Sequence, residues 1–283
     1  MSNFHRILGF AFMVQVITIA AQAQNKTAQL QPPPQNITID GDLKEWGDSL
    51  RYYNADNKIN FSLANDKDNL YMAVRINDYT EQARIINAGL TFSIDTRGKK
   101  KESFSVTYPL GGDKSLMRVG LKRAGDGGLT PEDQSELEQA KLTTLRQMKV
   151  KGFKDIEGDL ITTSNTYGIK ADFDFDKDGY LVYELAIPLK FFPAGDLAKN
   201  EWAFNFKING ISQPSHAGDG DGPSRQGSGG SFGEGRGGMS GGGRDMHGGG
   251  RRGGQHFNGG DQPGGMGELG KSLDFWEKFY LAK

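Results

Sequence analysis

"WAFNFKIN", Trp202 to Asn209, decides the fold. Trp202, Phe204, Phe206 and Ile208 alternate with Asn205, Lys207 and Asn209. A period of two sends the large apolar side chains to one face of an extended segment and the polar ones to the other, as a strand with one buried face requires. The same period recurs upstream. In "YLVYELAIP", Leu181, Tyr183, Leu185 and Ile187 point one way and Glu184 the other. In "LYMAVRIN", Leu70, Met72, Val74 and Ile76 oppose Arg75 and Asn77, and "GLTFSID" sets Leu90, Phe92 and Ile94 on one face. Less regular candidates are 59–64, 103–108, 148–153, 167–175 and 275–281. Half-apolar strands at this density predict an all-β domain of two antiparallel sheets packed face to face.

Two segments interrupt the strands. "LTPEDQSELEQAKLTTLRQM" carries Thr130 as N-cap, Pro131 at the first helical position, and Glu132 and Asp133 in the first turn. Leu137, Lys141, Leu145 and Met148 form its stripe, so one inserted helix over 130–148 is expected to lie against the sandwich. The second segment is 217–270, where 24 of 54 residues are glycine. It has too little apolar surface to offset the entropy of ordering, so a long disordered loop is expected. It is not a tail, because "ELGKSLDFWEKFYLAK" follows with strand composition. The Gly-rich stretch is therefore read as an insertion before the last strand.

The N-terminus reads as a secretory signal over 1–23. Arg6 supplies the charge, Ile7 to Ala20 are apolar apart from Gln15 and Thr18, and Ala21-Gln22-Ala23 is a small-x-small cleavage site. The expectation is an exported protein, periplasmic or secreted, with no transmembrane segment after cleavage. Residues 24–36 read as a Pro-rich flexible leader, which leaves 37–283 as a single domain.

Composition narrows the chemistry. The chain has no cysteine, which excludes thiol catalysis and cysteine-ligated metals. The formal net charge of -1 gives no field for nucleic acid, and the five arginines of 217–270 are outnumbered there by six acids. Of the four histidines, His5 lies in the signal and His216, His247 and His256 in or beside the Gly-rich stretch. The folded body has none for a Ser-His-Asp triad or a rigid zinc site. No carboxylate pair stands out, and Asp78, Asp95 and Glu184 read as strand ends and solvated faces, so a non-catalytic protein is expected. "DFDFDKDGY" matches the first half of a calcium loop through Asp174, Asp176 and Asp178. Its twelfth position is Leu185 and its flanks are strands, so a hairpin turn with Gly179 at positive φ competes with calcium.

"ITIDGDLKEWGDSL", Ile37 to Leu50, turns at Asp40-Gly41 and plants Trp46 directly after the proline run 32–34. Its opening, "ITIDGDLKEW", resembles the N-terminal signature of family 9 carbohydrate-binding modules. "NDKDNLYMAVRIND", "LTFSIDTRGKKKE", "DGYLVYELAIP" with its E-x-x-I-P segment, "WAFNFKING" and "DFWEKFYLA" resemble that family's later strands in order. The likeness covers roughly 37–210 and 269–283, with the helix unmatched. It implies a jelly-roll-like sandwich and glycan binding, or a role accessory to glycan breakdown. Family members that bind sugar clamp it between two tryptophans. Here Tyr79 stands at the first position, and the region of the second holds only Phe232 and Phe257. The resemblance offers Tyr79, Arg97 and Asn209 as carbohydrate-binding residues. The alternative is an envelope scaffold that meets a protein partner through the Gly-rich loop or a sheet edge, and a weaker third reading is a glycosidase fragment. For Trp46 the expectation is core packing with Ile37, Ile39 and Leu43 at one end of the sandwich.

Overall fold

The computed structural model describes residues 28–47, 50–111, 114–125, 128–197, 201–211 and 266–283. Residues 1–23, read above as a signal, and the Gly-rich residues 217–265 lie outside the described residues.

The described strands are β1 (Tyr52–Asn54), β2 (Ile59–Asn65), β3 (Asn69–Ile76), β4 (Leu90–Asp95), β5 (Phe104–Tyr108), β6 (Gln147–Lys151), β7 (Leu160–Thr162), β8 (Lys170–Phe175), β9 (Leu181–Pro188), β10 (Trp202–Ile208) and β11 (Leu273–Phe279). Their helices are α1 (Tyr79–Ala88), α2 (Lys114–Ala124), α3 (Pro131–Thr143) and the single turns α4 (Ala194–Leu197) and α5 (Met266–Leu269). The strands form two antiparallel sheets in the orders β1-β2-β3-β9-β8 and β11-β10-β4-β5-β6-β7. β3 pairs with β9 in the first sheet and β4 with β10 in the second. The connections β3→β4 and β9→β10 therefore cross between sheets side by side, as in a jelly roll.

The period-two reading places the core. Leu70, Met72, Val74 and Ile76 of β3, Leu90, Phe92 and Ile94 of β4, Leu181, Tyr183, Leu185 and Ile187 of β9, and Trp202, Phe204, Phe206 and Ile208 of β10 all lie in one buried cluster. Rings meet across the two sheets: Phe61 with Phe206 at 4.8 Å between centroids, Tyr108 with Phe173 at 6.0 Å, and Tyr52 with Phe279 at 4.8 Å. Burying each such side chain contributes about 1.5–3 kcal/mol before entropy is counted, so a chain without disulfides has ample apolar material to hold the sheets together.

The C-terminal aromatic segment joins the sheets. β11 runs antiparallel to β10 over its whole length, from Trp202 opposite Phe279 to Ile208 opposite Leu273. The two ends of the Gly-rich excursion are fastened to each other: Ile211 N–H donates to the Leu269 carbonyl at 2.8 Å, and both side chains pack on Ala83 of α1.

Three features differ from the expectation. The helix over 130–148 stops at Thr143, because Met148 belongs to β6 and pairs there with Ile161. Beside α3 stand α1 and α2, which pack on each other at one end of the sandwich. The leader is not flexible throughout: Leu30 is 1 % exposed and its N–H donates to the Tyr280 carbonyl at 2.8 Å. Gln29 bridges Tyr280 and Gln31 bridges Ala64, both in parallel sense, so the leader pairs with the residue just past β11 and then with the end of β2.

Candidate functional site

The row Ser62, Ala73, Glu184, Asp172 runs across β2, β3, β9 and β8, each residue opposite the next, on the face of the five-stranded sheet turned away from the core. Residues 37–47 lie over this face. Asp42 N–H donates to Asp40 Oδ1 at 3.0 Å and Lys44 N–H to Asp42 Oδ1 at 3.0 Å. These two local turns lead into a 3-10 turn, Lys44–Trp46. Gly41 has φ +80°, and a Cβ there would sit 2.7 Å from the backbone nitrogen of Asp174. Only glycine lets the turn approach β8 this closely.

The turn closes on Glu184. Gly41 N–H donates to Glu184 Oε2 at 2.9 Å, Asp40 N–H to the same oxygen at 3.1 Å, and the Trp46 indole Nε1–H to Oε1 at 2.7 Å. Glu184 is 0 % exposed. Burial pushes its carboxyl up to about 7, against the three N–H groups, which pull it down. This overturns two expectations. Glu184 is no solvated acid, because β9 lies inside its sheet and is covered on both faces. Trp46, Ile37, Ile39 and Leu43 are all half-buried outside the sheet and absent from the core cluster. Alternation along β9 tells which way Glu184 points; it does not tell that another segment covers it. The pairing does join two of the quoted motifs, since Asp40, Gly41 and Trp46 belong to one and Glu184 to the other.

The exposed part of the indole opens on a cleft of about 460 Å³. Trp46 and the rings of Pro32, Pro33 and Pro34 line it together with Gln31, Arg51, Ser62, Leu63 and Ala64. Arg51 N–H donates to Ser62 Oγ at 2.9 Å, which ties the start of β1 to the cleft floor. Two other clefts occur among the described residues. One, about 690 Å³, lies between the Asp40–Lys44 turn, Arg75 and the β8–β9 hairpin. The other, about 530 Å³, is lined by Asn57, Asn77, Tyr79 and Glu81 among others.

Tyr79, Arg97 and Asn209 do not share one site. Tyr79 opens α1, and the Arg123 guanidinium stacks on its ring at 4.1 Å. Asn209 sits at the far end of α1, about 15 Å away by helical rise. Its Nδ2 donates to the carbonyls of Ala88 (3.1 Å) and Gly89 (3.0 Å) and to Thr91 Oγ1 (3.0 Å), so it pins the α1–β4 junction. Arg97 is exposed beyond the opposite end of β4, with Nε 3.9 Å from Asp196 Oδ2.

Asp174, Asp176 and Asp178 do lie together at the β8–β9 hairpin, where Gly179 takes φ +76°. Asp176 Oδ1 accepts the N–H groups of Asp178 and Tyr180 at 2.9 Å each, which builds the turn. Asp176 Oδ2 accepts from Arg75 Nε at 2.6 Å and Asp178 Oδ2 from the same guanidinium at 3.0 Å, while Asp174 Oδ2 lies 3.7 Å from Lys141 Nζ. The three carboxylates thus face two cations. Among the described residues no group of three or more acid or histidine side chains is placed to hold a metal ion. No described helix is long and apolar enough to cross a membrane.

Set against family models, curated proteins and solved structures, the chain matches none of them.

Proposed function

We propose that this protein is an exported, non-catalytic β-sandwich that binds glycan, with the Trp46 cleft as its binding site. The observation that carries the reading is the fixed indole. Its Nε1–H is held by a buried carboxylate at 2.7 Å, so the ring cannot turn without breaking that bond, and it stands beside three proline rings in a cleft with a polar rim. Sugar rings present apolar C–H faces and hydroxyl edges. A pre-set aromatic face ringed by a few polar groups suits both, and it costs little ordering entropy on binding. The order of sandwich-like motifs in the sequence supports the same reading. The test is affinity electrophoresis of the purified chain through gels holding plant, bacterial and host polysaccharides, with Gln31→Ala and Trp46→Ala alongside and melting curves to verify folding. Retardation by at least one polysaccharide, weakened by both substitutions, is expected. Free migration through every gel sinks the proposal.

A different observation favours a second reading, that of an envelope scaffold with a protein partner. The Ile211–Leu269 clasp makes the chain leave the sandwich after β10 and re-enter it before β11 at one point, which is where a partner-binding insertion would be carried. Crosslinking in native envelopes, with and without 217–265, separates the two readings: partners lost on deletion support the scaffold, and an unchanged set removes it.

A further inference from the structure

We propose that the Trp46 cleft takes sugars bearing a carboxylate, as in uronic acids, and that Arg51 reads that group. The inference rests on the glycan reading of the cleft and adds the chemical class of the sugar. Arg51 is the one charged side chain among the residues lining the cleft, and no acid is among them. Three other arginines of the sandwich face carboxylates: Arg75 with Asp176 and Asp178, Arg84 with Glu81, Arg118 with Asp133 and Glu136. Arg51 has no carboxylate within 4 Å among the described residues. Its backbone is nevertheless fixed, because its N–H is bonded to the buried hydroxyl of Ser62. That hydroxyl acts there as acceptor, and its own proton is donated to no described residue. Among its described lining residues the cleft therefore offers the indole of Trp46, a hydroxyl proton in Ser62 and, in Arg51, a guanidinium with no described carboxylate partner. A guanidinium fork holds a carboxylate through two parallel N–H···O bonds, which is the geometry a uronate presents and a neutral hexose lacks.

The experiment uses the whole chain after signal removal and a panel of α- and β-linked oligouronates, each paired with its carboxyl-reduced, neutral counterpart. Binding is read by calorimetry and by tryptophan fluorescence, for the wild type and for Arg51→Gln. Arg51 is exposed and lies in no ion pair among the described residues, so the variant is expected to melt with the wild type. At least one uronate should bind about tenfold more tightly than its reduced partner. That margin should shrink as salt rises and vanish in Arg51→Gln, with affinity for the neutral partner kept. Equal binding of both members of every pair overturns the carboxylate inference and leaves the glycan reading standing. A margin that survives Arg51→Gln overturns the role given to Arg51. No binding to any member overturns the inference together with the glycan reading beneath it.

Discussion

Glu184 holds a carboxylate where water does not reach it, a costly position unless donors replace the lost hydration. The N–H groups of Asp40, Gly41 and Trp46 are those donors, and all three come from a segment 138 to 144 residues away in sequence. The proton linkage has a definite sign. The carboxyl moves from its ordinary 4.5 to about 7 in the folded chain. Between these values the folded chain keeps a proton that the unfolded chain has released. The contribution of this group is complete below pH 4.5 and is lost as pH rises through 7, and a shift of that size corresponds to roughly 3 kcal/mol. The other charged side chains nearby, Asp40 on the turn, Asp172 and Asp174 on β8 and Lys141 on α3, are common to wild type and variant. Urea denaturation of the wild type and of Glu184→Gln at pH 5 and pH 8 isolates the effect. The wild type should lose up to that amount relative to Glu184→Gln between the two pH values, and a constant difference would show that Glu184 does not titrate there. At the same scale, Gly41→Ala sets a Cβ against the β8 backbone at positive φ. It should lower stability by about 1–3 kcal/mol, measured as a shift of the urea midpoint.

The helices show what local signals decide and what they leave to packing. α3 begins where its sequence says. Thr130 Oγ1 accepts the Asp133 N–H at 3.3 Å and Asp133 Oδ2 accepts the Thr130 N–H at 2.9 Å, a reciprocal box that four consecutive residues specify. Lys122 and Arg118 of α2 also grip Asp133, and the Lys122 ammonium, with the Thr130 N–H, holds its carboxyl well below the usual carboxylate range. Thr130→Ala removes the cap acceptor and should cost about 1 kcal/mol. The reading is the urea midpoint, with Thr130→Ser expected to restore most of the loss; a full loss in Thr130→Ser would place the effect in the methyl group and not in the cap. The end of α3 was not legible, because a strand 13 residues further on claims Met148. α1 was hidden for a related reason. Asp78 at its N-cap and Gly89 at its end are ordinary punctuation, but Gln82, Arg84 and Asn87 break any apolar stripe. They are buried because each has its own partner: Gln82 in the Ile76 carbonyl, Arg84 in Glu81, and Asn87 in the Ala83 carbonyl. A polar residue that is buried with a partner looks solvated in a one-dimensional pattern. The candidate site was partly legible for the same reason. Trp46 drew notice as a lone aromatic after a turn, but Arg51 and Ser62 join it only through the folding of the leader over β2.

At the scale of the whole molecule the sandwich is a closed unit from which one long excursion departs and to which it returns at the same place. The inner faces of both sheets were legible because every central strand alternates; β1 and β7, three residues each, are too short to show a period. The continuity of β10 and β11 across the Gly-rich stretch has a measurable energetic consequence. Ile211, Leu269 and the full β10–β11 ladder fix where the chain leaves and re-enters. Bringing those two points together in the folded state restricts the chain between them. That restriction grows as the logarithm of its length, about 2 kcal/mol more for some fifty residues than for six. Replacing 212–265 by a six-residue Gly-Ser linker should therefore raise the unfolding free energy by about 2 kcal/mol. For a chain of this size the melting temperature should rise by roughly 4–8 °C, with the transition still single and β11 amides still slow to exchange. If the shortened chain melts lower, or its β11 amides exchange freely, the excursion is holding the last strand in place, and the sandwich cannot be the self-sufficient unit that the clasp at Ile211 and Leu269 implies.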